Sequence, residues 1–137
     1  MSISPEDHRF TVLLVDDQTS VRGAMKRGLE ASGFFRVVAE AEDGDEALAA
    51  TKRLDPDVVM LDLSMPKRGG LDVLPALRAC TPSSLVAVLS GIGPQTLGKQ
   101  VWQSGADLYL EKTSAMRDIV AELLTELQVR QAVGASS

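Results

Sequence analysis

The chain has 137 residues, which is enough for one domain of ordinary size and leaves no room for a second. Its 14 basic and 19 acidic residues give a formal charge of −5, which disfavours direct binding to nucleic acid, and its single Cys80 excludes an intrachain disulfide. No apolar run approaches the roughly 18 residues of a membrane helix and no secretory signal opens the chain, so we expect a cytoplasmic protein that does not bind membranes.

Five short apolar runs alternate with segments of helical periodicity. The runs lie near residues 10–15, 35–40, 57–61, 84–89 and 107–110, and they are as continuously apolar as strands of a sheet that is covered on both faces. The first four helical segments cover residues 18–32, 44–54, 70–80 and 94–104. We expect Pro75 to lie near the first turn of its helix, since a proline further in would kink it. The last helix should follow an N-cap at Thr113 or Ser114 and continue to about Val133.

This alternation predicts an α/β fold, a doubly wound (βα)₅ sandwich of the flavodoxin-like type. Right-handed crossovers then give a parallel five-stranded sheet of order 2-1-3-4-5. We expect residues 1–9 to form an amino-terminal extension, residues 10–130 the domain and residues 131–137 a flexible tail. In this order the first and third strands flank the topological switch point, where open α/β sheets bind their ligands.

Polar residues follow four of the predicted strands. These are Asp16 and Asp17 after the first strand, Asp62 after the third, Ser90 after the fourth and Lys112 just beyond the fifth. The carboxyl ends of parallel strands meet at one edge of a sheet, so we expect all five side chains to gather there. Seen alone, an aspartate of this kind is as often a helix N-cap, and a lone lysine is usually a solvated surface group. Together, three carboxylates, a hydroxyl and an ammonium indicate a site for a divalent cation and a phosphoryl group.

Five segments of the chain resemble the receiver domains of two-component response regulators. They are residues 12–18 (VLLVDDQ), 58–66 (VVMLDLSMP), 69–74 (GGLDVL), 89–91 (LSG) and 109–112 (YLEK), and the likeness runs from about residue 10 to residue 127. The resemblance implies the CheY-like form of this fold. It also implies a switch that accepts a phosphoryl group from a histidine kinase or phosphotransfer protein and then changes its partner-binding surface. Apart from its own phosphorylation and dephosphorylation, such a domain is not an enzyme.

The resemblance assigns roles in cation binding and phosphoryl transfer. Asp62 matches the phosphoacceptor, and Asp16, Asp17, Asp62 and the backbone carbonyl of Ser64 match the ligands of Mg²⁺ or Mn²⁺. Lys112 matches the cation that stabilises the phosphoryl group. Without a metal ion, three clustered carboxylates repel one another, so we expect raised pKa values among them.

The resemblance also implies two residues for a conformational switch and two residues that influence hydrolysis of the phosphoryl group. Ser90 matches the hydroxyl that binds the phosphoryl group, and Tyr109 matches the aromatic residue that rotates inward as this hydroxyl moves, although a plain core role for Tyr109 is the alternative. Ser64 and Ile92 match two positions that influence hydrolysis. Neither side chain is a strong acid or base, so we expect the phosphorylated state to decay over minutes or longer.

Residues in and near these motifs suggest a branch of the family, but they do not decide whether the receiver stands alone or belongs to a longer regulator. Thr113 follows the lysine where many receivers have proline, and residues 18–26 also resemble regulators with a helix-turn-helix output domain. The chain is then either a stand-alone regulator or, as the alternative, the receiver of a DNA-binding regulator without its output domain. The resemblance implies a downstream protein that the sequence does not identify and allows a homodimer.

Two functions of other classes fit the same fold less well. A metal-dependent phosphohydrolase with an aspartyl-phosphate intermediate would space two acids as Asp-x-Asp, whereas Asp16 and Asp17 are adjacent and the segment after Asp62 lacks a second acid. A flavin-binding module would need a loop rich in serine, threonine and glycine after the first strand, where the two aspartates would instead repel a phosphate.

Overall fold

The computed structural model describes residues 9–63, 70–91 and 105–136. In chain order its elements are β1 (Phe10–Val15), α1 (Thr19–Ala31), β2 (Phe35–Ala41), α2 (Gly44–Leu54), β3 (Val58–Asp62), α3 (Gly70–Cys80), β4 (Leu85–Ser90), β5 (Leu108–Glu111) and the C-terminal helix (Met116–Ser136). The predicted helix at residues 94–104 and the predicted site residues Ser64 and Ile92 lie outside the described residues.

The five strands form one parallel sheet in the predicted order. The order is β2-β1-β3-β4-β5, and every neighbouring pair is parallel. The chain therefore winds one way from β1 to β2 and the other way from β3 to β5. This arrangement confirms the predicted fold class and puts the carboxyl ends of β1 and β3 side by side.

Two hydrophobic layers cover the two faces of the sheet. On β1, Leu13 and Val15 belong to the layer that packs against α2 and α3, whereas Val12 and Leu14 belong to the layer that packs against α1 and the C-terminal helix. Successive residues of a strand point to opposite faces, and here both faces are buried. Alternation of polar and apolar residues is therefore absent, which explains why the strands read as continuous apolar runs. None of the helices in the described part of the chain is long and apolar enough to cross a bilayer.

Local signals in the sequence fix the ends of α1 and α2. The α1 helix stops before Gly33, whose φ of +83° is a left-handed conformation that glycine adopts without steric cost. At the start of α2, the Asp43 side chain accepts a hydrogen bond from the Glu46 amide, and the Glu46 side chain accepts one from the Glu42 amide. Asp43 is thus the N-cap, while the Glu46 carboxylate binds the amide of the residue before the cap, and the predicted start of α2 at Gly44 is confirmed.

Two expectations about helix geometry are wrong. Pro75 is the sixth residue of α3, in its second turn. It is exposed, so the carbonyl that loses its backbone partner can face water, and the helix tolerates it. The C-terminal helix does not begin directly after Thr113 or Ser114, because these residues lie in a turn. Its first intrahelical bond runs from the Ile119 amide to the Ala115 carbonyl.

The C-terminal helix is also longer than expected. It continues through Ser136, so the backbone of residues 131–136 is helical where a flexible tail was expected after Val133. Gly134 lowers helix propensity by only about 1 kcal/mol relative to alanine, which does not end a helix of five turns. The division into an extension at residues 1–9 and a domain at residues 10–130 stays a prediction.

Candidate cation and phosphoryl site

Three carboxylates meet at the carboxyl edge of the sheet. Asp16, Asp17 and Asp62 each offer one oxygen, and these three oxygens lie within 4.8 Å of one another. Asp16 and Asp62 are buried, whereas Asp17 is exposed. Two ligands bound at about 2.0–2.1 Å to one Mg²⁺ are roughly 3–4 Å apart. An all-oxygen set at this spacing fits a hard divalent cation.

The backbone around Asp16 is held by its neighbours. Its amide donates to the Ala41 carbonyl of β2 at 3.0 Å, so the pairing of β1 with β2 continues one residue beyond the strand. Its Oδ1 accepts from the Gln18 amide at 2.9 Å, which closes a turn before α1. Asp62, in contrast, is the last residue of β3 and pairs with Leu89 of β4, so the sheet itself sets its position.

Lys112 brings a positive charge to the same edge. Its Nζ lies 2.8 Å from Asp62 Oδ1 and 3.9 Å from Asp16 Oδ2. The Lys112 amide donates to the Ser90 carbonyl at 2.9 Å, which extends the pairing of β4 with β5 and directs the lysine across the end of the sheet. Two buried carboxylates thus share one ammonium group, and a bound dication would compensate the remaining negative charge.

Burial, together with the neighbouring charges, perturbs the titration of Asp16. Burial raises its pKa above the ordinary value, the Gln18 amide and Lys112 act in the opposite direction, and the charges of Asp62 and Asp17 raise it further. The expectation of a raised pKa is therefore confirmed for this aspartate. Its ionised form is disfavoured until a cation binds, so cation affinity should fall as the pH approaches this pKa.

The two predicted switch residues lie at different depths. Ser90 is the last residue of β4 and is buried at the same edge as the carboxylates. Tyr109 pairs with Val88 and packs, half-buried, against the hydrophobic layer on the α2 and α3 side. The structure thus brings Ser90 and Lys112 together with the three aspartates, while Tyr109 adjoins the site through the β4–β5 pair.

Sequence reasoning missed one residue of this region. Arg22 on α1 is buried, and its guanidinium donates to the backbone carbonyl of Asp16. The available signal was its spacing, because Arg22, Met25 and Leu29 share the core-facing side of α1 at steps of three and four. A charged residue in such an apolar stripe indicates a buried polar partner.

The comparison with known proteins agrees with the fold. The family model of the response regulator receiver domain matches residues 12–124, so the chain belongs to this family. Within the family, the chain is 38% identical over 126 residues to the transcriptional regulatory protein PrrA of Mycobacterium tuberculosis, covering 92% of this chain and 53% of PrrA. It is 32% identical over 117 residues to the chemotaxis protein CheY of Halobacterium salinarum, covering 83% of this chain and 96% of CheY.

A solved structure extends this likeness to a phosphorylated relative. A response regulator from Burkholderia pseudomallei, crystallised with a phosphorylated aspartic acid, a calcium ion and citrate, has 30% identity and a TM-score of 0.77. The match covers 92% of this chain and 73% of that one. The chain thus has the receiver fold and spans about half the length of PrrA, while it spans nearly all of CheY.

Proposed function

We propose that this receiver domain is a signalling switch in which Asp62 accepts a phosphoryl group. The observation that carries the proposal is the setting of Asp62. Its carboxylate is buried at the end of β3, within 2.8 Å of Lys112 Nζ and close to two further carboxylates. The donor would be a histidine kinase or phosphotransfer protein, as the family implies.

Asp62 is the best placed of the three aspartates to act as the nucleophile. Asp16 already accepts a hydrogen bond at Oδ1 and is tied to the loop before α1, and Asp17 is exposed to water. Asp62 lies on β3, between the aspartates after β1 on one side and β4 with Ser90 on the other. A phosphoryl group on Asp62 therefore lies between the cation site and Ser90, and both can bind its charged oxygens.

In the proposed transfer, an oxygen of Asp62 forms a bond to phosphorus while the bond to the donor breaks in line. The electron pair of the breaking bond leaves with the donor. When bound, Mg²⁺ or Mn²⁺ neutralises charge on the transferring oxygens. Lys112 exchanges its contact with the Asp62 carboxylate for a phosphoryl oxygen, and its charge stabilises the product.

The proposed output is a change of surface around β4, β5 and the C-terminal helix. The Ser90 hydroxyl would donate to a phosphoryl oxygen, and Tyr109 would turn further inward in response. Both residues lie on the paired strands β4 and β5, which supports their coupling. Ser64 would offer its carbonyl to the cation, and Ser64 with Ile92 would leave the acyl phosphate to decay over minutes or longer. Decay within seconds after removal of the phosphodonor would contradict this lifetime.

Intact-mass measurement after incubation with acetyl phosphate tests the proposal. Wild type should gain one phosphoryl group in Mg²⁺ and little in EDTA, whereas Asp62→Ala should gain none. Asp118→Ala, which removes an exposed aspartate from the C-terminal helix, is the matched control and should behave like wild type. Phosphorylation of Asp62→Ala to the wild-type level would refute the assignment.

The relatives carry the matched segment in two settings, a longer transcriptional regulator and a protein of about this length. We propose that the chain serves as the receiver of a DNA-binding regulator, since its identity to PrrA is the higher of the two. The alternative is a stand-alone relay. Sequencing the gene beyond codon 137 decides between them, because only the first setting requires an output domain in the same reading frame.

A further inference from the structure

We propose that Arg22 is a positioning residue for the cation site, which fixes the peptide between Asp16 and Asp17 and thereby raises cation affinity. The inference rests on the proposed function, because it concerns the same site. Nothing in the roles given above to the aspartates, Ser90 or Lys112 requires a buried arginine on α1.

The burial of Arg22 is costly unless each part of its guanidinium finds a partner. Its side chain is only 8% exposed. Nε donates to Glu40 Oε1 at 3.0 Å, Nη2 donates to Thr19 Oγ1 at 3.3 Å, and the third branch of the fork donates to the Asp16 carbonyl. Nη2 also lies 3.6 Å from a carboxylate oxygen of Glu42. The guanidinium is thus held by side chains of β2 and α1, while Nη1 points to the backbone of the acidic loop, residues 16–18.

The contact to the Asp16 carbonyl restrains both aspartates. A peptide group is planar, so fixing the carbonyl oxygen of one residue also fixes the amide of the next. On Asp16, the amide, the carbonyl and the side chain are then all held, by Ala41, Arg22 and Gln18 respectively. The carboxylate of Asp17 is exposed, so its position depends mainly on the backbone that Arg22 restrains.

Groups that orient metal ligands from behind typically contribute 10–100-fold to metal affinity. Lysine cannot replace Arg22 in this role, because one ammonium cannot span three acceptors in the directions that a rigid fork reaches. An Arg22→Lys variant keeps the charge and loses the geometry. We therefore expect its Mg²⁺ dissociation constant to rise about tenfold.

Arg78 provides a matched control at the opposite end of the sheet. It also donates to backbone carbonyls, those of Gly105 and Ser84, and it pairs with Asp107 before β5. Arg78→Lys should lower stability in a similar way without any contact with the acidic loop. A comparison of the two variants separates positioning of the site from general destabilisation.

The experiment measures Mg²⁺ binding by calorimetry and the rate of phosphorylation by acetyl phosphate across a Mg²⁺ series. For Arg22→Lys, the dissociation constant and the half-saturating Mg²⁺ concentration should both rise about tenfold, while the rate at saturating Mg²⁺ stays within about threefold of wild type. Arg78→Lys should leave both Mg²⁺ values within about twofold. Glu40→Gln weakens the contact between Arg22 Nε and residue 40, whose side chain is half-exposed. This variant replaces Arg22→Lys in the experiment if Arg22→Lys does not fold, and it should raise the Mg²⁺ dissociation constant about two- to fivefold.

Three results would overturn the inference. If Arg22→Lys binds Mg²⁺ like wild type, or if it does not fold and Glu40→Gln binds like wild type, Arg22 does not position the site. If Arg78→Lys weakens binding equally, the effect is one of global stability. If wild type binds no Mg²⁺, both this inference and the proposed cation chemistry fail, whereas the first two results leave the proposed function intact.

Discussion

Removing the charge of Asp16 should stabilise the metal-free protein. Burial raises the pKa of this carboxyl group, so its ionised form opposes folding at neutral pH. Asp16→Asn removes the charge and keeps an Oδ1 that can accept the hydrogen bond from the Gln18 amide. The contact from Arg22 goes to the backbone carbonyl and is unaffected.

The size of the effect follows from the geometry. At an effective dielectric constant of about 20, two carboxylate charges no more than 4.8 Å apart repel by at least about 3.5 kcal/mol, and an ammonium at 3.9 Å attracts by about 4 kcal/mol. The attraction to Lys112 therefore offsets roughly the repulsion from one neighbouring carboxylate, and the cost of burying the Asp16 charge remains. We expect Asp16→Asn to raise the free energy of unfolding by about 1–2 kcal/mol at pH 7.5, which corresponds to about 3–8 °C in Tm.

The pH dependence has a definite sign. The raised pKa means that the folded state binds the proton of Asp16 more tightly than the unfolded state does. Wild-type stability therefore falls as the pH rises from the unfolded pKa, about 3.9, through the folded one. The advantage of Asp16→Asn should be complete at pH 7.5 and should shrink as the pH is lowered towards about 4.

Urea unfolding in EDTA at several pH values measures this advantage. Glu122→Gln, at an exposed position of the C-terminal helix, is the control and should lie within about 0.5 kcal/mol of wild type. In Mg²⁺ at about 100 times the dissociation constant, wild type should gain about 2.7 kcal/mol and Asp16→Asn less. An Asp16→Asn protein that is less stable than wild type in EDTA at pH 7.5 would show that burying the Asp16 charge does not oppose folding.

Three further predictions concern other parts of the structure. Lys112→Met leaves the buried Asp62 without the ammonium 2.8 Å away and should lower the free energy of unfolding in EDTA by about 1–3 kcal/mol. Urea unfolding measures this loss, and an unchanged free energy would show that the ion pair does not stabilise the fold. Asp107→Asn weakens contacts with two arginines at the far edge of the sheet, so it should cost about 1–3 kcal/mol while the initial rate of phosphorylation stays within twofold, and a large loss of rate would contradict this separation. Gly33→Ala forces an alanine into a φ of +83° and should lower the free energy of unfolding by about 1 kcal/mol in thermal denaturation, whereas an unchanged Tm would argue against this backbone conformation.

The fold was predictable because the apolar runs, the helical segments between them and the rules of chain connection all indicate the same arrangement. Strands such as β3 and β4 are buried along their whole length, and their apolar runs are too short for helices. Handedness and strand order follow from general rules of chain connection. The details that failed depend on tertiary context. The position of Pro75 in α3 and the helical backbone through Ser136 could not be read from helix propensities alone, which cost about 3 kcal/mol at the proline and about 1 kcal/mol at Gly134.

The carboxylates, Ser90 and Lys112 of the site were predictable because parallel strands deliver their ends to one edge. The contacts of Arg22 were not predicted, since its partners are a backbone carbonyl and side chains on β2, after β2 and on α1 that only the folded chain brings together. Spacing along α1 shows that Arg22 faces inward, but it does not show which group it meets. Tyr109 illustrates the same limit, because a half-buried aromatic residue on β5 fits both a core role and a switch role.

The most direct test of the proposed function is to locate the phosphoryl group. Wild type is phosphorylated with acetyl phosphate in Mg²⁺ and treated with borohydride, which reduces an aspartyl phosphate to homoserine, and the peptides are then sequenced by mass spectrometry. Phosphorylation at Asp62 predicts homoserine at position 62, with Asp16 and Asp17 unchanged. Homoserine at position 16 or 17, with Asp62 intact, would contradict it.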